Sequence, residues 1–347
     1  MKRHVRRARA TAIVVTGLAA AILGGCSQPV PEVAPPPRPA EPPPVVLNVQ
    51  IERILQELSA ELEQAQAESD PAALAGRVGG AALAMVQAHY AAKAANPDEQ
   101  PLELGTRFAD GQIVARSATW PRSFVVVTDA EPTEAPFIYQ LEQRDARSPY
   151  KLSLWARMLP GATVPSAAPA GVGSDVVEPN SERTLVSPVA ALAAYAAAKD
   201  DPAGEAAALL DTAPKDGVDP DPARERWSVL VKSWRDNSRG LADISVNALS
   251  TPVEGSVSAL STADSGALVF GQVKSVVDVS VTPAEGIYTD IGGAQGYLGL
   301  GASSLRMSKS AHVEYLESVV LAVPPAGSDQ PIRVVAVYDL ATAAQVE

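Results

Sequence analysis

The sequence predicts an α+β protein of two tandem domains, each with helices packed on a curved antiparallel sheet. Three observations carry this expectation. Stretches of helical periodicity are followed by runs of strand-like alternation, and that order occurs twice, in residues 46–160 and again in 182–347. Between them, residues 161–181 are rich in Pro, Gly, Ala and Ser and show no periodicity, as a linker would; a long loop packing across both domains is the alternative. Finally, 347 residues is long for a single hydrophobic core.

In chain order, Lys2, Arg3, Arg6, Arg7 and Arg9 precede an apolar run over 10–23 that ends in Leu23-Gly24-Gly25-Cys26. A basic start, a short apolar stretch and small residues before a cut make a secretory signal. The run is too short for a membrane-spanning helix, which needs about 20 apolar residues. Leu-Gly-Gly-Cys resembles the lipobox of bacterial lipoproteins. That resemblance implies that residues 1–25 are a signal peptide. It also implies that Cys26 is acylated and holds the chain to the extracytoplasmic face of the cell membrane. Residues 26–45 contain Pro29, Pro31, Pro35, Pro36, Pro37, Pro39 and Pro42 to Pro44. Proline at this density removes amide donors and favours extended polyproline II, so this segment reads as a disordered tether.

The first helix is predicted over 48–67, with Ile51, Ile54, Leu55, Leu58 and Leu62 on one stripe. A second is predicted from Ser69-Asp70-Pro71, weakened at Gly79-Gly80 and ending at Asn96-Pro97-Asp98. Strands follow at 112–118, 123–129, 137–143 and 150–158, each bounded by turn residues. In the second half, Val189, Leu192 and Tyr195 mark a helix ending near Asp200. Trp227, Leu230, Val231 and Trp234 mark another, introduced by 219–222. Strand-like runs then cover 242–249, 255–261, 267–282, 308–323 and 332–339. Residues 286–301 are Gly-rich and read as a loop with a short strand near Ile287.

Charge and composition exclude several function classes. The formal net charge is −12, and the leader carries five of the basic residues, so the chain beyond it is more acidic still. An acidic body argues against nucleic acid, and against anionic lipid as a partner for the protein surface. Cys26 is the single cysteine, so the body folds without disulfides and depends on its hydrophobic cores, which an apolar fraction of 46% permits.

Two stretches resemble a group of actinobacterial secreted lipoproteins that carry an uncharacterised extracytoplasmic domain. One is Trp120-Pro121-Arg122 leading into Val125-Val126-Val127-Thr128. The other runs from Arg147-Ser148-Pro149-Tyr150-Lys151-Leu152 through Trp155 and Arg157 to Leu159-Pro160-Gly161. The resemblance implies an envelope lipoprotein and brings no catalytic residues with it. Helices laid on a curved antiparallel sheet are also similar, in element order alone, to the NTF2-like cone and to cystatin-like sheets.

Candidate chemistry is sparse. His312 and Glu314 stand two apart on a predicted strand and so share a face, where they could seat a metal or an acid/base pair; with no third ligand nearby, a solvated strand face is preferred. His89 on an Ala-rich helix reads as a core histidine. Trp227 and Trp234 read as core rather than a carbohydrate platform. The acidic run 216–221 contains proline and lacks the closing Glu of a calcium loop, so it reads as a capped linker. The glycines at 292–301 lack dinucleotide-binding spacing. No nucleophile elbow, phosphate loop or zinc motif occurs, and no catalytic, cofactor or metal residues are expected. The functional expectation is a lipid-anchored envelope protein acting as a non-catalytic binding or interaction module, with an envelope protein or glycan as partner. The alternative is an NTF2-like hydrolase or isomerase with an acidic residue inside a sheet cavity. A wet cavity lined by converging titratable groups would favour the enzyme; a sheet filled by side chains would favour the module.

Overall fold

The computed structural model describes residues 41–95, 102, 104–130, 135–211, 221–236, 243–282, 287–290, 304–307 and 309–347. The leader, Cys26 and most of the proline-rich segment lie outside the described residues, as do Asn96-Pro97-Asp98 and the glycines at 292–301. Residues 41–347 form one compact unit.

Helix α1 (Asn48–Glu68) buries Ile51, Ile54, Leu55, Leu58 and Leu62, the stripe its periodicity predicts. The second predicted helix divides. Pro71–Leu74 is a short 3-10 turn, started by the Asp70 carboxylate accepting from Ala72 N. Helix α2 (Gly80–Ala95) begins after a break, where Gly80 takes φ +57°. The residues between, 77–79, pair with Leu152: its amide donates to Arg77 O at 2.7 Å, and Gly79 N donates to its carbonyl at 3.0 Å. The glycines are therefore a junction where backbone turns to bond a strand, not a weak point in one long helix.

Strands β1 (Ile113–Arg116), β2 (Arg122–Val127), β3 (Phe137–Gln143) and β4 (Lys151–Met158) form the predicted antiparallel meander. Strand β5 (Ser174–Asp175) then pairs in parallel with β1. Helix α3 (Pro188–Asp200) is capped by Ser187, whose hydroxyl accepts from Ala190 N, with Pro188 at its first position. Helix α4 (Pro222–Asp236) starts the same way, with Asp221 accepting from Arg224 N. The remaining strands are β6 (Asp243–Pro252), β7 (Ser258–Ser261), β8 (Ala267–Thr282), β9 (Ile287–Asp290), β10 (Ser304–Met307), β11 (Ser310–Val323) and β12 (Arg333–Val346).

The strands expected in two sheets lie in one mixed sheet of ten, ordered β5-β1-β2-β3-β4-β12-β11-β8-β6 with β7 beside β8; β9 and β10 pair separately. The halves join where β12 pairs with β4, Ala336 opposite Met158 and Val337 opposite Arg157. They also share a core. Val125, Ile138, Leu154 and Ala156 from the first half pack in one cluster with Leu268, Phe270, Val320 and Ala336 from the second. Residues 161–181 take the second of the two expected forms, a segment packed across both halves. It is a packed strap: Val164 and Ala167 lie against the shared core, and Val177 is buried against α3's core, its amide donating to Ala259 O. Its low periodicity reflects a chain that crosses the sheet rather than running along it.

Helices cover both faces of the sheet. On β11, Ser318 donates to Met85 Sδ of α2, while its neighbour Glu317 meets α3. Successive strand residues point to opposite faces, so α2 and α3 lie on opposite sides. Gly271 of β8 lets α3 come close; a Cβ there would stand 2.6 Å from Leu192 Cδ2.

Candidate functional site

Beyond the reach of α2, the face of β6, β8 and β11 that carries His312 is open. Registration brings Asn247, Asp278 and His312 side by side across the three strands, with Ser245, Ser280 and Ser310 as the next row. On β8 the burial alternates strictly, Val277 and Val279 inward, Asp278 and Ser280 exposed. These side chains line a shallow recess of about 290 Å³.

Four ionisable groups form a chain along this face. His312 Nδ1 and Asp278 Oδ1 are 2.6 Å apart, His312 Nε2 and Glu314 Oε1 3.3 Å, and Lys274 Nζ donates to Glu314 Oε1 at 2.8 Å. The hydrogen bond to Asp278 raises the His312 pKa above its ordinary value, and Glu314 adds to it. Lys274 holds the Glu314 carboxyl below the usual range. Thus His312 and Glu314 do share a face, as their spacing predicts. Asp278 and Lys274 are neighbours that only strand pairing reveals. Among the described residues, no group of three or more His, Cys, Asp or Glu side chains is arranged to hold a metal.

The opposite face of the same strands is sealed. Glu317 is fully buried and Lys199 is 2% exposed. Lys199 Nζ pairs with Glu317 Oε2, and the Tyr195 hydroxyl donates to Glu317 Oε1. Lys199 Nζ also donates to Ser275 Oγ at 3.1 Å and stands 4.7 Å from the centre of the Trp227 ring. Ser275 Oγ lies 2.9 Å from Ser250 Oγ, and Ser250 donates in turn to Asp200, which also accepts from Trp227 Nε1 at 3.2 Å. The buried Asp221 side chain also meets the Tyr195 hydroxyl. Burial pushes the carboxyls of Glu317 and Asp221 and the Tyr195 hydroxyl up.

Sequence reading missed this cluster, although signals existed. Lys199 follows Leu192 and Tyr195 at helical spacing, and Glu317 interrupts the apolar face of Val313, Tyr315 and Val319. A charge on an apolar stripe of two elements marks a buried pair.

The other candidates sit as structural residues. His89 is 6% exposed, and burial lowers its pKa; its Nε2 has no hydrogen-bond partner among the described residues. Trp227 is core, packed edge-on against Tyr315. The side chain of Trp234 and residues 216–220 lie outside the description. A second recess of about 480 Å³ opens between the start of α2 and the β3–β4 hairpin, lined by Gly80, Glu142, Arg144 and Lys151. Its Lys151 is committed to Ala75 O at 2.6 Å, and Glu142 and Arg144 stand 3.7 Å apart. It lacks the linked set of ionisable groups found along β11.

Fold and surface together define an α+β protein with one mixed sheet, helices on both faces and a polar row left open toward one end. The chain belongs to the family described as domain of unknown function (DUF8094), whose model matches residues 42–345. This agrees with the uncharacterised domain that the sequence resembles. No curated protein and no solved structure matches the chain. Among the described residues, no helix is long and apolar enough to cross a membrane.

Proposed function

We propose that this protein is a lipid-anchored, non-catalytic interaction module of the cell envelope, held by acylated Cys26. In this reading it presents the open face of β6, β8 and β11 to an envelope protein or glycan. The observation that supports it is the contrast between the two titratable clusters. The Lys199–Glu317 cluster holds the residue types of an active site, but its amine and carboxyl are shut from solvent, with 2% and 0% of their side chains exposed. The Asp278–His312–Glu314–Lys274 row faces solvent in a shallow depression, suited to hydrogen-bonding a partner rather than enclosing a substrate. The helices-then-sheet order of each half supports a duplicated ancestor of NTF2-like or cystatin-like build, its two sheets now merged.

A photo-crosslinking side chain at Asn247, in intact cells and with Cys26 present, tests the binding face. Capture of an envelope protein or glycan at Asn247, but not at the exposed Gln64 of α1, is the expected result. Equal capture at both positions, or none at Asn247, contradicts it. For the anchor, Cys26→Ser is expected to move the protein from the detergent phase to the aqueous phase, because anchoring depends on the buried acyl chains. A processed mutant that stays in the detergent phase contradicts the anchor.

A further inference from the structure

We infer that Lys199 and Glu317 become joined by an amide bond, a covalent strut between α3 and β11 formed by the protein itself. Four features of the cluster point to this. The amine and the carboxyl touch, with 2% and 0% of their side chains exposed. Both are aimed by neighbours: Ser275 Oγ accepts a hydrogen bond from Nζ, and the Tyr195 hydroxyl donates to Glu317 Oε1. The pair is shut from solvent, with Trp227 beside Nζ, Val273, Val277 and Val319 buried on the same strands, and Tyr195, Ser275 and Asp221 as its polar neighbours. Asp221, a buried carboxyl, is a second hydrogen-bond neighbour of the Tyr195 hydroxyl.

The reaction is a condensation. A proton passes from Nζ to Oε2, which frees the Nζ lone pair and leaves a carboxylic acid beside it. The Nζ lone pair attacks Cδ of Glu317, and a new C–N bond forms. The Tyr195 hydroxyl holds the oxygen of the tetrahedral centre at Oε1. A second proton moves from Nζ to Oε2, the Cδ–Oε2 bond breaks and that oxygen leaves as water. Nothing is oxidised or reduced, and no co-reactant is needed. Well-oriented reactants reach effective concentrations of about 10⁵–10⁸ M, which lowers the barrier to an attack that free amines and acids in water do not make. Burial favours the product, because the product is neutral and the ion pair it replaces carries a desolvation penalty. The chain has a single cysteine and cannot make an internal disulfide, so this bond is a covalent tie open to it.

Mass spectrometry of the full chain, purified, denatured and digested with trypsin, tests the bond. The expected main species is peptide 184–215, uncut after Lys199 and joined to peptide 310–333, lighter than the two free peptides by one water. Fragmentation is expected to place the link at Lys199 and Glu317. In Glu317→Ala the joined species is expected to vanish and the free peptides to appear. Free 184–199 and 310–333 as the main species of the wild-type protein would overturn the inference and leave a buried ion pair. A joined species that persists in Glu317→Ala would overturn the assignment equally. The wild-type digest decides the question even if the variant fails to fold.

Discussion

Glu314 and Glu317 stand on the same strand and face opposite sides of the sheet. Glu314 is partly exposed, bonded to Lys274 and His312 on a face with open space in front of it. Glu317 is sealed beneath α3 with Lys199, Tyr195 and Ser275. The residue types match: an acid and a lysine on each side, with a further hydrogen-bonding ring or hydroxyl. Burial separates their roles. Exposed pairs contribute little to stability because water screens them. Buried pairs hold the fold, because removing one member strands the other without water. Density of titratable groups therefore locates both places and says nothing about which one meets a partner.

The largest effect is expected on the sealed side. Glu317→Ala strands Lys199 in a buried site and removes its link to β11, and is expected to cost at least about 3–5 kcal/mol of unfolding free energy, measured by denaturant titration. Pairing Lys199→Met with Glu317→Leu is expected to recover part of that loss. A single change that costs nothing would mean that water reaches the site. Next in size, Gly271→Ala places a methyl against Leu192 and is expected to cost about 1–3 kcal/mol, since α3 must lift or Leu192 must change rotamer.

Smaller effects are expected on the open side. His312 is expected to titrate above its ordinary value of about 6.5, read from its ring signals by NMR. The sign follows from the raised folded pKa. The stabilisation that protonated His312 gains from Asp278 and Glu314 is complete below the unfolded pKa and is lost as pH rises through the folded one. Asp278→Asn is expected to move the titration back down; no change would mean that Asp278 is not its partner in solution. The smallest effect is Asn247→Ala, expected to alter stability by no more than about 0.5 kcal/mol while weakening capture at the open face.

Much of the fold was legible in the sequence, and the failures have physical causes. The α1 stripe, the four-strand meander and the long strands β8 and β11 follow from two local signals: one-sided burial, as in α1 and the 310–317 part of β11, and short apolar runs buried on both faces, as in 137–141, 267–273 and 317–323. The junction at 77–79 was read as helix, since nothing local announces that its backbone will bond Leu152. Strand β5 is two residues long and parallel, too short to carry a pattern. The strap over 161–181 leaves linker and packed loop both open in sequence, because its packed residues, the partly buried Val164 and Ala167 and the buried Val177, are spaced by the path it crosses and not by a helix or strand repeat. At the candidate site, spacing alone put His312 beside Glu314. Asp278 and Lys274 come from another strand, 34 residues from His312 in the case of Asp278, and pairing register is not written locally.

The contrast between the two faces is tested most directly by residue-level labelling of the native full chain, with an amine-acylating reagent and an imidazole-modifying reagent read by mass spectrometry. Lys274 and His312 are expected to react readily, and Lys199 to remain unlabelled while the protein stays folded. Labelling of Lys199 at a rate comparable with Lys274, or protection of both Lys274 and His312, would contradict the assignment of one face as sealed and the other as open.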